Sequence, residues 1–225
     1  MVKKETNSME RGEIFPLKEK VDGEWASKFT ISNYDPGETI FHQGSPFQTY
    51  HVLTRGIVKS GTHAPAGQKV LLSIHYPGDL LEVAGAGRKR HKRFARALTK
   101  VQVGVIDKED SKKLLEERPE LFYRGIASIS KELDFQHKIT MAKAVGGTRG
   151  SILLLLKECL QRNSAKGNGE RIKLSEEDMA SLLGVSRETI SRHLSVLREK
   201  GVARAVRKSV KIIDREQLME LAPDF

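Results

Sequence analysis

Residues 175–201 read SEEDMASLLGVSRETISRHLSVLREKG, two short helical patterns joined by a tight turn. Ser175 has Asp178 three residues on, a capping-box-like start that satisfies free N–H groups at a helix N-terminus. Met179, Leu182 and Leu183 supply an apolar face at helical spacing. Gly184 stands where the chain must turn sharply, and Ser186 is placed to cap a second helix. Ile190, Leu194 and Leu197 fall at i, i+4 and i+7 and are expected to pack inward. That leaves Arg187, Glu188, Ser191, Arg192 and Ser195 for the other side. Such a polar surface suits the major groove, where arginine bonds guanine O6/N7 and glutamate accepts from cytosine N4. The expectation is a helix-turn-helix that reads double-stranded DNA.

An ordinary helical hairpin with a solvated outer face shows the same period. The next segment separates the two readings. VARAVRKSVKII, residues 202–213, alternates like two short strands around a basic turn at Arg207 and Lys208. A strand pair after a reading helix forms a wing whose cations meet the phosphate backbone, which positions a protein without reading sequence. Ser175, Ser186, Arg187, Glu188, Thr189, Ser191, Arg192, Arg207 and Lys208 are the candidate DNA-binding residues.

Composition narrows the class. The chain has 225 residues, 38% of them hydrophobic, with a net charge of +10 that favours an anionic partner. Cys159 is the one cysteine, so an intramolecular disulfide or a multi-cysteine metal site within one chain is excluded. Its place in the apolar run 152–160 points to a buried thiol. No run of side chains suggests the roughly 18 to 20 apolar residues of a membrane span, and MVKKETNSMERGE lacks the apolar core of a signal peptide. A cytoplasmic protein without membrane contact is expected.

Organisation follows from texture. Residues 1 to about 28 are polar and read as a loosely held leader with one short helix. From Ile31 to Ile106, glycines at roughly ten-residue spacing alternate with short β-prone runs, the pattern of about seven or eight strands in a compact antiparallel β-roll. Asp107 ends that texture and is placed to cap a helical piece that breaks near Pro119. Phe122, Ile126, Ile129 and Leu133 then alternate steps of four and three, the seam spacing of a coiled coil, which predicts pairing with a second copy. A helix lying on its own β-domain is the alternative. The same register brings in Gln136 and Thr140, so pairing should loosen toward the C-terminal end. Gly146 and Gly147 break the helix as a hinge. Thr148 to Gln161 reads as a core helix, and NSAKGNGE, residues 163–170, as a flexible loop. The expected class is α+β, with an N-terminal leader and β-roll (1–107), a dimerisation helix region (108–145) and a winged helix-turn-helix (146–225).

In that order these parts resemble the CRP/FNR family of bacterial transcription regulators, from about Ile31 to Leu221. The motif LLGVSRETISRHLSVLREKGV carries the resemblance most specifically; FHQGSPFQTYHVLTRGIVK and YPGDLL carry it less so. The resemblance implies that Arg187, Glu188 and Arg192 read a half-site similar to TGTGA or TTGAT, with Ser191 where the FNR-like branch has serine. RNA polymerase is the implied partner. Family members often have glycine in the wing turn where this chain has Lys208.

The effector region departs further. In cyclic-nucleotide-binding relatives a Gly-Glu pair after the PGD turn holds the ribose and an Arg-Ser pair holds the cyclic phosphate. Here PGD is followed by LLEVAGAGRKRHKRFARA, about two residues short, with no glycine before Glu82 and with His91 and Lys92 at the phosphate positions. The positions that touch the base in such relatives fall near Asp134 and Phe135. Cyclic AMP is therefore not expected as the ligand, and no cofactor is expected. The cysteine cluster of oxygen-sensing relatives is absent. Seven histidines are scattered without metal-ligand spacing, although a haem ligand from His42, His51 or His75 is not dismissed. The run from Arg88 to Arg96 has six cations and no acid. It reads as a solvated loop, as a pocket mouth for an anionic effector, or as a second contact to DNA phosphates. Glu82, Lys92, Arg93 and Arg96 are the candidate effector-binding residues.

Three rival functions carry weaker expectations. A cupin-like enzyme would need closely spaced histidines and a carboxylate, and no HxH occurs. A non-specific architectural DNA binder fits poorly with 15 basic against 11 acidic residues in 146–225, a net +4. A regulator that acts without any ligand remains open at this point.

Overall fold

A computed structural model describes residues 27–65, 67–82, 87–164 and 170–224. The expected leader helix and most of the expected 163–170 loop lie outside the described residues. Among the described residues, eight strands lie in the N-terminal part: β1 (Thr30–Tyr34), β2 (Thr39–Phe41), β3 (Thr49–Arg55), β4 (Val58–His63), β5 (Lys69–His75), β6 (Leu80–Leu81), β7 (Phe94–Ala97) and β8 (Val101–Asp107). They make two four-stranded sheets, in the orders β1-β8-β3-β6 and β2-β7-β4-β5. Long-range antiparallel pairings such as His51 with Val105 and Ser60 with Ala95 set the register. Strand β8 shows why: Val101, Val103 and Ile106 are buried, whereas Gln102 and Val105 are only half-buried. Phe41, Leu53, Val58, Leu81, Ala95 and Val103 form the core between the strands. Each such side chain contributes roughly 1.5–3 kcal/mol by leaving water.

Helix α1 (Lys108–Glu117) begins as the sequence predicts, with the Asp107 carboxylate accepting from the Glu109 N–H at 2.9 Å. Leu114 fastens it to a second cluster with Phe29, Val52 and Ile106. After Pro119 comes α2 (Glu120–Ser164), broken at Gly147, whose φ of 59° and ψ of −153° lie outside helical space. Only glycine adopts such a conformation readily. The two limbs, 120–146 and 148–164, are therefore separate rods. The sequence expectation that no stretch reaches membrane-spanning character needs correction here. A window within Glu120–Asn163 passes by length and composition, with a mean hydropathy of 1.2. Half of that window is buried inside the protein, and Gly147 interrupts it.

Chain contacts define two compact units. One holds the residues up to Gln68 with Leu72–Lys131, the other Lys69–Leu71 with the residues from Glu132 onward. In the second unit the limb 148–164 is largely apolar in its middle, with Ile152 to Leu156, Cys159 and Leu160 buried. About it lie β9 (Arg171–Ile172), α3 (Glu176–Leu183), α4 (Arg187–Glu199), β10 (Ala203–Val206), β11 (Ser209–Ile212) and α5 (Arg215–Leu221). The wing sheet has three strands in the order β10-β11-β9, one more than the sequence pattern predicts.

Candidate nucleic-acid interface and effector region

Local chemistry builds α3 and α4 at their ends. The Ser175 hydroxyl accepts from the Asp178 N–H at 3.1 Å and donates to the Asp178 carboxylate at 2.9 Å. Gly184 closes α3 in the left-handed region, with φ 64° and ψ 42°. Ser186 then caps α4, accepting from the Thr189 N–H at 3.2 Å. Ile190, Leu194 and Leu197 are buried at 0%, 2% and 3% exposure, so the opposite face of α4 is fixed outward. On that face Arg187, Glu188 and Arg192 are exposed, and Ser191 and Ser195 half-exposed. Thr189 is partly taken up by the cap, its hydroxyl 3.0 Å from that of Ser186.

Two features of this surface escape sequence reading. Arg187 Nε lies 3.3 Å from the Glu176 carboxylate, a pairing between helices eleven residues apart in the chain. Glu188 stays ionised: its own backbone N–H, the Ser186 hydroxyl and then the Arg187 charge hold its carboxyl below the usual range. An ionised carboxylate is an acceptor only, the role a cytosine amino group needs.

The wing turn places Arg207 and Lys208 in solvent between β10 and β11. Lys208 takes φ 52°, in the left-handed region that favours glycine. The turn thus has a cation at its tip.

The candidate effector residues do not converge through their side chains. Glu82 is buried at 3% exposure, whereas Lys92 and Arg96 are exposed and Arg93 is half-buried. Arg96 lies on the outer face of β7, its Nε 3.4 Å from the Thr39 hydroxyl. Glu82 accepts from the main-chain N–H groups of Lys92 and Arg93. His91, read as a phosphate-position residue, is buried against the Glu82 carboxylate and stacked on Phe41. The basic run is pinned to the 44–47 turn: the Arg90 guanidinium donates to Gly44 O at 2.7 Å, and Phe47 N–H to Lys89 O at 3.0 Å.

His51 completes this buried cluster, with its ring centroid 6.2 Å from that of His91. Burial, reinforced by His91, lowers its pKa from 6.5 to about 4. Its Nδ1 has no hydrogen-bond partner. His75 Nε2 lies 2.7 Å from the Ser60 hydroxyl. Among the described residues, no group of three or more His, Cys, Asp or Glu is arranged to hold a metal ion.

The seam residues Phe122, Ile126, Ile129 and Leu133 are exposed at 57%, 44%, 42% and 52%. Tyr123, Met141 and Val145 add exposed apolar area on the same limb. At its start, Phe122 and Tyr123 border a groove of about 600 Å³ whose other walls include Tyr50, Lys112 and Leu115.

Comparison with known proteins matches these two parts separately. Residues 31–118 match the cyclic nucleotide-binding domain family, and residues 140–221 the Crp-like helix-turn-helix domain. The chain belongs to the CRP/FNR family of transcription regulators. It is 26% identical to the transcriptional activator protein anr of Pseudomonas aeruginosa, over 83% of this chain and 78% of that protein. It is 27% identical to the CRP-like cAMP-activated global transcriptional regulator of Mycobacterium tuberculosis, over 84% and 87%. The fold matches that of the c-di-GMP-responsive global regulator CLP of Xanthomonas campestris, with a TM-score of 0.70 at 20% identity over 84% and 95% of the chains. The CRP/FNR family is one of DNA-binding regulators and not of enzymes, which weighs against cupin-like chemistry. Both the expected α+β class and the helix-turn-helix are found.

Proposed function

We propose that this CRP/FNR protein is a cytoplasmic homodimer that binds a palindromic operator. The seam of Phe122, Ile126, Ile129 and Leu133 pairs two long helices, since a lone copy leaves that stripe in water. A two-fold protein reads two half-sites about 10 base pairs apart, one turn of duplex. Within each half-site, Arg187, Glu188, Ser191 and Arg192 face the base edges. Ser175, Ser186 and Thr189 fix the helix ends near the backbone, and Arg207 and Lys208 bind phosphate. The observation that carries this reading is the division of α4 into a buried face and an exposed one holding Arg187, Glu188 and Arg192. Contact with RNA polymerase follows from the family resemblance.

Relatives are named for different ligands, cyclic AMP in one and c-di-GMP in another, so no effector passes to this chain by similarity. The inward-facing Glu82 and His91 support an effector other than cyclic AMP, or none. A cyclic-nucleotide-dependent regulator is the second reading, favoured by the match to the cyclic nucleotide-binding domain. Measuring operator affinity while titrating cyclic AMP and cyclic GMP decides between them. A large gain with cyclic AMP would overturn the first reading.

A further inference from the structure

Three hydrogen-bond donors converge on one buried carboxylate at the neck of the basic loop. Glu82 Oε1 accepts from the main-chain N–H groups of Lys92 at 2.7 Å and Arg93 at 3.1 Å. Its Oε2 meets the His91 Nδ1. His91 is itself held, stacked on Phe41 with ring centroids 4.1 Å apart and edge-on to Phe47 at 4.8 Å. Consecutive N–H groups aimed at one point form a nest, an arrangement that binds anions. Hydrogen bonds to a charged acceptor are the strong ones, and a buried donor that loses its acceptor is costly. Glu82 reaches the seat with φ at 56°, a backbone conformation that side-chain-bearing residues adopt rarely. It is buried there to 3% exposure, while Lys92 beside it faces solvent.

We infer that the neck of the basic loop is an oxyanion seat that the chain fills with its own Glu82 carboxylate. The conformation of 88–93 is then held by an internal ligand and does not wait for an external one. A small free carboxylate or phosphate gains these three donors only by displacing Glu82, so the wild-type β-roll is indifferent to it. This inference does not rest on the DNA-binding reading, since its observations all lie within the β-roll.

The test uses full-length wild type and Glu82→Ala, titrated with sodium formate against equal sodium chloride. Amide exchange at Lys92 and Arg93 is the readout. Wild type should keep both amides protected and show no response to either salt. Glu82→Ala should exchange both at least tenfold faster, and formate, but not chloride, should restore protection, because formate supplies the missing carboxylate. A merely structural loss would not be rescued. Unchanged protection in Glu82→Ala, fast exchange that formate does not slow, or a wild-type response to formate would each overturn the inference. If Glu82→Ala does not fold, Glu82→Met keeps most of the side chain's size and removes both carboxylate oxygens. It should lose the same protection, and wild-type protection in that variant would also overturn the inference.

Discussion

Glu188 and Arg192 stand one helical turn apart on the exposed face of α4, with Ile190 buried behind them. Replacing either with alanine removes no core contact, so folding should be unchanged. Operator affinity should fall roughly 5- to 150-fold, with relaxed preference at the base pair each one faces. Competition binding with single-base variants of the operator checks this. Lys208 acts differently, because a phosphate contact carries no sequence information. Lys208→Ala should weaken all duplexes alike and reduce the salt slope by about 1. Lys208→Gly should do the same while relieving the strain of φ 52°. A pH effect belongs to His51. With its pKa lowered to about 4, it is neutral in both states above pH 6.5. Between pH 6.5 and about 4 the unfolded chain takes up a proton that the folded one refuses. Stability from this group is therefore full above pH 6.5 and falls by about 1.4 kcal/mol per pH unit toward pH 4. His51→Leu should flatten that part of the unfolding-versus-pH curve; an unchanged slope would contradict the account.

At the scale of elements, the long helix makes two separable predictions. Gly147 holds a glycine-only conformation with open space around its Cα, so Gly147→Ala meets dihedral strain alone. It should destabilise by about 1–3 kcal/mol in urea unfolding. Gly146→Ala sits in helical backbone and should be neutral or slightly stabilising. The seam predicts self-association: burying about eight side chains from two copies is worth on the order of 10 kcal/mol before association costs. Sedimentation should show a dimer at micromolar concentration, and Ile126→Glu with Ile129→Glu should give a monomer. Elements whose signals are local were legible in the sequence. The caps at Asp107, Ser175 and Ser186, the stop at Gly184 and the break at Gly147 each depend on a few neighbouring residues. Strand β9 was not, because Arg171 and Ile172 become a strand only by pairing with β11 some forty residues on. The same holds for the Arg187–Glu176 pair and for the inward turn of Glu82 and His91. Periodicity shows which face a residue shares but not which distant partner its polar atoms meet.

The whole molecule joins a reading unit to a β-roll whose neck is closed by its own carboxylate. Cyclic AMP should therefore neither bind tightly nor raise operator affinity. The central claim is that two copies read an inverted repeat through α4. Selection of random duplexes by the purified full-length protein, repeated with Glu188→Ala, tests it most directly. Wild type should enrich an inverted repeat with half-sites about 10 base pairs apart, and Glu188→Ala should lose preference at the base pair that this residue faces while keeping the spacing. A single unpaired motif, no enriched motif, or an unaltered preference in Glu188→Ala would contradict it.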